Sequence, residues 1–151
     1  MNDDSNSISP AFRKLFPGPY GYFASTDGVD DTFVVCCRST KNEIAATYYW
    51  DDHLPNELVA RVTSQALCDL IDENHDDQRS LSSSELKMFR AIYPGPYGYR
   101  RIKCPMRGVG YEVYCKCTGS DVIGRYGRGG LMVTSQIAVA LNAIPASNVD
   151  P

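Results

Sequence analysis

The sequence predicts an α+β protein: a tandem duplication of a helix–three-strand–helix unit, packed as one pseudo-symmetric body with antiparallel sheet. Three matched blocks carry that expectation, and they keep their order and near-constant spacing. The string Pro-Gly-Pro-Tyr-Gly-Tyr stands at Pro17–Tyr22 and again at Pro94–Tyr99. Over residues 12–22 against 89–99, 8 of 11 positions are identical. Phe33–Thr40 (FVVCCRST) aligns with Tyr111–Thr118 (YEVYCKCT), which sets Cys37 on Cys115; further on, Tyr48 falls on Tyr126. Arg61–Ile71 aligns with Met132–Asn142 and shares Val-Thr-Ser-Gln. The offset falls from 78 to 71 before this last block, so seven residues around DDHLPNE have no counterpart in the second copy. Self-similarity at such a period fixes the architecture before any local pattern does. The expected division is residues 1–74 for the first unit, 75–84 for a polar linker and 85–151 for the second unit.

Each unit opens with a short helix. In the first, Ser9 caps and Pro10 takes the first helical position. In the second, Ser82–Glu85 (SSSE) has the form of a capping box. Both helices end at the Pro-Gly-Pro turn, because proline lacks the N–H that a helix needs and pushes the preceding residue out of helical geometry. The tyrosines after the turn begin an aromatic strand. Alternation then marks a hairpin in each unit. In the first, Phe33, Val35 and Cys37 take one face. In the second, Tyr111, Val113, Cys115 and Cys117 share a face, with Glu112 and Lys116 opposite. Each unit closes with a helix. Leu58, Val59, Val62, Ala66, Leu67 and Leu70 form an apolar stripe on the first, with Cys68 outside it as an expected exposed thiol.

The closing helix of the second unit differs: no charged residue occurs from Leu131 to Val149. A helix without a polar face is covered on both sides or is an interface. On the interface reading, Leu131, Val133, Ile137, Val139 and Leu141 are the candidate partner-binding residues, for another protein or for a second copy of the chain. Charge also divides the chain. Residues 1–78 carry 5 Lys+Arg against 14 Asp+Glu, a net of −9, and residues 79–151 carry 10 against 4, a net of +6. Such asymmetry suggests a charged partner or mutual attraction of the halves. With Arg100, Arg101, Lys103, Arg107, Arg125 and Arg128, the basic second unit is the candidate nucleic-acid surface, since cations interleaved with aromatics suit phosphates and bases. Helix–three strands–helix is also the element order of double-stranded-RNA-binding domains. The closing helix here has no Lys at its start for phosphate, so the likeness stops at element order. A pI near 5.3 opposes general nucleic-acid binding.

No catalytic constellation stands out. The cysteine spacing Cys104-x10-Cys115-x-Cys117 is not that of zinc knuckles, and packing explains Cys37 and Cys115. His53 and His75 lie in acidic polar stretches, and the pairs Asp30-Asp31, Asp51-Asp52 and Asp76-Asp77 lack the spaced oxygens of a calcium loop. Gly124–Gly130 has neither nucleotide fingerprint. No cofactor or metal is expected. No apolar leader follows Met1 and no stretch reaches membrane-spanning length, so a cytoplasmic chain with free thiols is expected. The leading expectation is a non-catalytic protein-binding or adaptor module, the alternative is a nucleic-acid binder, and a small enzyme with an unidentified site ranks third.

Overall fold

The computed structural model describes residues 8–24, 32–47, 56–71 and 82–144. The elements run α1 (Pro10–Leu15), β1 (Tyr20–Ala24), β2 (Phe33–Cys37), β3 (Glu43–Ala46), α2 (Asn56–Leu70), α3 (Ser83–Ile92), β4 (Tyr97–Cys104), β5 (Gly108–Cys115), β6 (Asp121–Tyr126) and α4 (Gly130–Asn142). The class is α+β. All strands join one antiparallel sheet in the order β1-β2-β3-β6-β5-β4. Each half is a meander, and the meanders meet at β3 and β6, where Ala46 pairs with Gly124. α3 begins at Ser83, inside the stretch expected as linker.

The caps are those the sequence predicts. Ser9 Oγ accepts from the Phe12 N–H, and Ser82 and Glu85 form the reciprocal box. The first helix ends at Phe16, and the turn that follows explains the hexapeptide. Tyr20 donates its hydroxyl to the Phe16 carbonyl at 2.6 Å, and Tyr97 donates to the Tyr93 carbonyl at 2.6 Å. The rings of Tyr20 and Tyr97 lie 5.9 and 6.1 Å from those of Phe12 and Phe89. Gly18 and Gly95 adopt φ of 95° and 82°, a region that L side chains rarely enter. Their N–H groups donate to Cys37 Sγ and Cys115 Sγ, both at 3.3 Å. The second glycine of each string, Gly21 or Gly98, lies directly beneath the side chain of Arg38 or Lys116. The peptide bonds into Pro19 and Pro96 are cis.

Helices cover one face of the sheet. α2 packs on β1 and β2, α4 on β4, β5 and β6, and the two helices pack on each other. The short helices cross over: α1 touches α4, and α3 touches α2. Two polar contacts fix the crossing: the Ser9 N–H donates to Gln136 Oε1 at 2.7 Å, and Arg61 pairs with Glu85. Within the second half, Arg90 on α3 donates to the Ile144 carbonyl just after α4 at 2.9 Å. One apolar core therefore takes Phe12, Val35, Ile44 and Leu67 together with Phe89, Val113, Ile137 and Leu141.

One expectation from periodicity is corrected. Cys68 is fully buried. α2 is wedged between sheet, α3 and α4, so its covered arc is wider than one stripe. Glu112, on the strand face opposite Val113, is buried beside Arg100 on the neighbouring strand.

Burial pushes the Tyr97 phenol up to about 12, since phenolate has no water there. An unfolded tyrosine ionises near 10. Native Tyr97 therefore holds its proton while the unfolded chain loses it, and stability is full below pH 10 and falls as pH rises from about 10 to 12. The expected loss is about 2–3 kcal/mol. Urea titrations at pH 9 and 11.5 should show it, and Tyr97→Phe, about 1–2 kcal/mol less stable at pH 7, should lack that part of the alkaline loss.

Candidate functional site

α4 is internal to this chain. Val133, Ile137 and Leu141 are fully buried, and Val139 is partly covered; of the five residues expected at an interface, Leu131 alone is freely exposed, at 50%. The cause is the number of elements around the helix: α1, α2, β3, β4, β5 and β6 all touch it. Its lack of charge reflects this enclosure.

The six cations expected at a nucleic-acid surface have separate duties. Arg100 reaches across β5: its Nε donates to Glu112 Oε2 at 2.6 Å, and its Nη2 donates to Asp121 Oδ1 at 2.7 Å and to the Gly119 carbonyl at 3.0 Å. Its guanidinium also lies 4.2 Å from the Tyr114 ring centroid. Burial disfavours its charge, but the two carboxylates outweigh this and raise its pKa above the ordinary guanidinium value. Arg125 is a strut: Nη1 donates to the carbonyls of Glu43 and Ile44 at 2.7 and 3.1 Å, and Nε to the Arg128 carbonyl at 2.9 Å. Arg101, Lys103, Arg107 and Arg128 are exposed, and Arg107 lies 5.7 Å from the Tyr126 ring centroid. Among the described residues of this half, the acids Glu85, Glu112 and Asp121 are engaged with Arg61 or Arg100. None of them neutralises Arg101 or Lys103.

These two cations stand on β4, an outer strand of the sheet. The edge is closed at its start, where Asn142 on α4 accepts from the Tyr97 N–H at 2.8 Å and donates to the Tyr97 carbonyl at 2.9 Å. On the opposite edge Cys68 has the same duty, its Sγ accepting from the Tyr20 N–H at 3.3 Å and donating to the Tyr20 carbonyl at 3.4 Å. Since Tyr97 turns its backbone groups outward, strand alternation turns those of Tyr99, Arg101 and Lys103 outward as well. The β4–β5 register runs without a bulge from Tyr97 to Cys104, so the alternation holds. Beside this edge lie the exposed Tyr99 (46%) and, at the hairpin tip, Met106 (93%). Alternation in β4 was readable in the sequence, but its place at the sheet edge was not.

The thiols do not gather. Among the described residues no three His, Cys, Asp or Glu side chains converge as metal ligands. Cys36 is buried, and burial pushes its thiol up. Burial also raises Cys37 and Cys115, but hydrogen bonds from neighbouring hydroxyls and backbone N–H groups outweigh it and bring both below the ordinary thiol value. Cys104 is lowered chiefly by the N–H groups of Met106 and Arg107. His53, His75 and the three aspartate pairs lie outside the described residues. Among the described residues no helix is long and apolar enough to cross a membrane.

Access and thiolate character together set reactivity. Ellman's reagent should label Cys117, which is exposed, and Cys104 within minutes on the folded protein, and the other four thiols only on unfolding. In Cys117→Ser, the remaining fast phase should have its pH midpoint below 9, set by Cys104. Comparison with protein families, with curated proteins and with solved structures finds no match for this chain.

Proposed function

We propose that the protein is a non-catalytic binding module made of two copies of one unit, and that it takes an acidic, extended segment of a partner protein as an added strand on β4. The observation that carries the binding reading is the β4 edge. Tyr99, Arg101 and Lys103 present outward backbone groups, and among the described residues Arg101 and Lys103 have no carboxylate within ion-pair distance. Strand addition draws affinity from main-chain hydrogen bonds and selectivity from alternate side chains. Basic residues on an edge discourage neutral strands, and an incoming strand with Glu or Asp at alternate positions meets them favourably.

The two-copy reading is supported by repeated bonds as well as repeated residues. Phenol to helix-end carbonyl, glycine N–H to thiol, and Arg38 or Lys116 N–H to the Pro19 or Pro96 carbonyl at 2.8 Å all recur. The non-catalytic reading is supported by the position of the large pKa displacement among the described residues: it belongs to Tyr97, enclosed in the core and bonded to a backbone carbonyl.

Arg101→Pro set beside Arg101→Gln separates strand addition from simple charge attraction. Both remove the cation, but only proline also deletes the outward N–H, without touching the β4–β5 ladder, and proline is tolerated at such edge positions; Arg101→Gln should weaken binding about tenfold and keep it measurable. A fluorescent peptide of alternating Glu and Val should bind in the micromolar range at 50 mM salt and several-fold more weakly at 300 mM. Arg101→Pro should abolish binding with the melting temperature kept within a few degrees, and Lys103→Glu should weaken it about tenfold. Exposed Tyr99 beside these cations favours a second reading, stacking of single-stranded nucleic acid. Oligouridylate binding that survives Arg101→Pro and falls with salt at about 0.7 per phosphate would replace the peptide reading.

A further inference from the structure

Where β3 meets β6 the sheet opens into a cavity of about 440 Å³. That volume is within the range of small-molecule sites. Its walls are apolar, with Leu15 and Phe16 from the end of α1, Ile44 from β3, and Met132 and Val133 from α4. Its polar side is largely cationic. The Arg125 guanidinium is fixed there by two β3 carbonyls and by the Arg128 carbonyl after β6, and lies 5.9 Å from the Phe16 ring centroid. No carboxylate is within ion-pair distance of Arg125 or Arg128 among the described residues. Among the described residues Glu43 is the one acidic side chain in the lining, and Asn42 adds a neutral amide.

We propose that this cavity binds a small amphipathic anion, a carboxylate or phosphate head on a short apolar tail. The tail would lie against Leu15 and Met132, and the head would meet Arg128 and the free side of Arg125. A guanidinium already held by backbone carbonyls loses little freedom on meeting an anion, which favours binding. Glu43 limits the site to a single compact head, since a second negative charge would meet it. This site is separate from the β4 edge and does not depend on the reading given for that edge.

Isothermal titration with hexanoate, octanoate, octyl phosphate and octanol tests it. Affinity should rise about fourfold per methylene from hexanoate to octanoate. Octanol should bind at least tenfold more weakly than octanoate. Octyl phosphate tighter than octanoate would assign a phosphate head, and the reverse a carboxylate. Arg128→Gln, whose backbone carbonyl still holds Arg125, should weaken octanoate about fivefold, and Glu43→Gln should strengthen it two- to fivefold. Arg101→Pro should leave all of these values unchanged, so loss of peptide binding and loss of anion binding are told apart. The phosphate comparison is made at pH 5, where octyl phosphate carries mainly a single charge. Equal binding of octanol and octanoate, no dependence on tail length, no response to either charge variant, or no binding of any probe would overturn the proposal.

Discussion

A helix that stops at a proline leaves its last carbonyls without intrahelical partners, and in this protein a phenol answers one of them in each half. Tyr20 reaches back four residues to Phe16 and Tyr97 to Tyr93, each ring lying on the phenylalanine one turn earlier. The same tyrosine is the first residue of an outer strand. Helix end, turn and strand start are thereby fixed as one piece. The glycine N–H on a buried thiol ties that piece to the neighbouring strand, β2 or β5, through Cys37 or Cys115. Helix direction and sheet position then cease to be independent, and every further contact is built on that geometry.

The charges follow from what the sheet brings together. A sum of +6 over the second half suggests one broad basic face. The fold instead spends Arg100 on Glu112 and Asp121 across three strands, and Arg125 on carbonyls at the seam. Removing Glu112 would leave Arg100 with a half-exposed aspartate and a ring, whereas removing Arg100 would leave a buried carboxylate alone, which is the costlier state. Arg101 and Lys103, two residues apart on the outer strand, stay available because their neighbours' acids are already engaged.

Local rules were legible in the sequence and relative placement was not. Ser9, Ser82 and Glu85 act within one turn, so their roles are fixed by spacing alone. Both helix ends follow from proline chemistry, and the strands from alternation. Cys68 shows the limit. Its angle on α2 departs from the Leu58–Leu70 stripe, and only the packing of three neighbours makes that angle interior. α4 shows a second limit. Absence of charge implies enclosure, but nothing in LMVTSQIAVALN says whether the enclosing surface belongs to the same chain. Arg125 was visible as a cation, but its work at the seam depends on β3, eighty residues earlier, ending beside it.

The crossing of the short helices sets the order in which the molecule becomes complete on the ribosome. α1 is made before α4, and its seat is on α4. The Ser9–Gln136 bond closes a separation of 127 residues. Contacts of that range come late, since loop closure must precede them. During synthesis α1 therefore waits for its seat until α4 has been translated. Until then its aromatic side chains, Phe12 and Phe16, have their local partner in Tyr20 but lack the helix on which α1 finally rests.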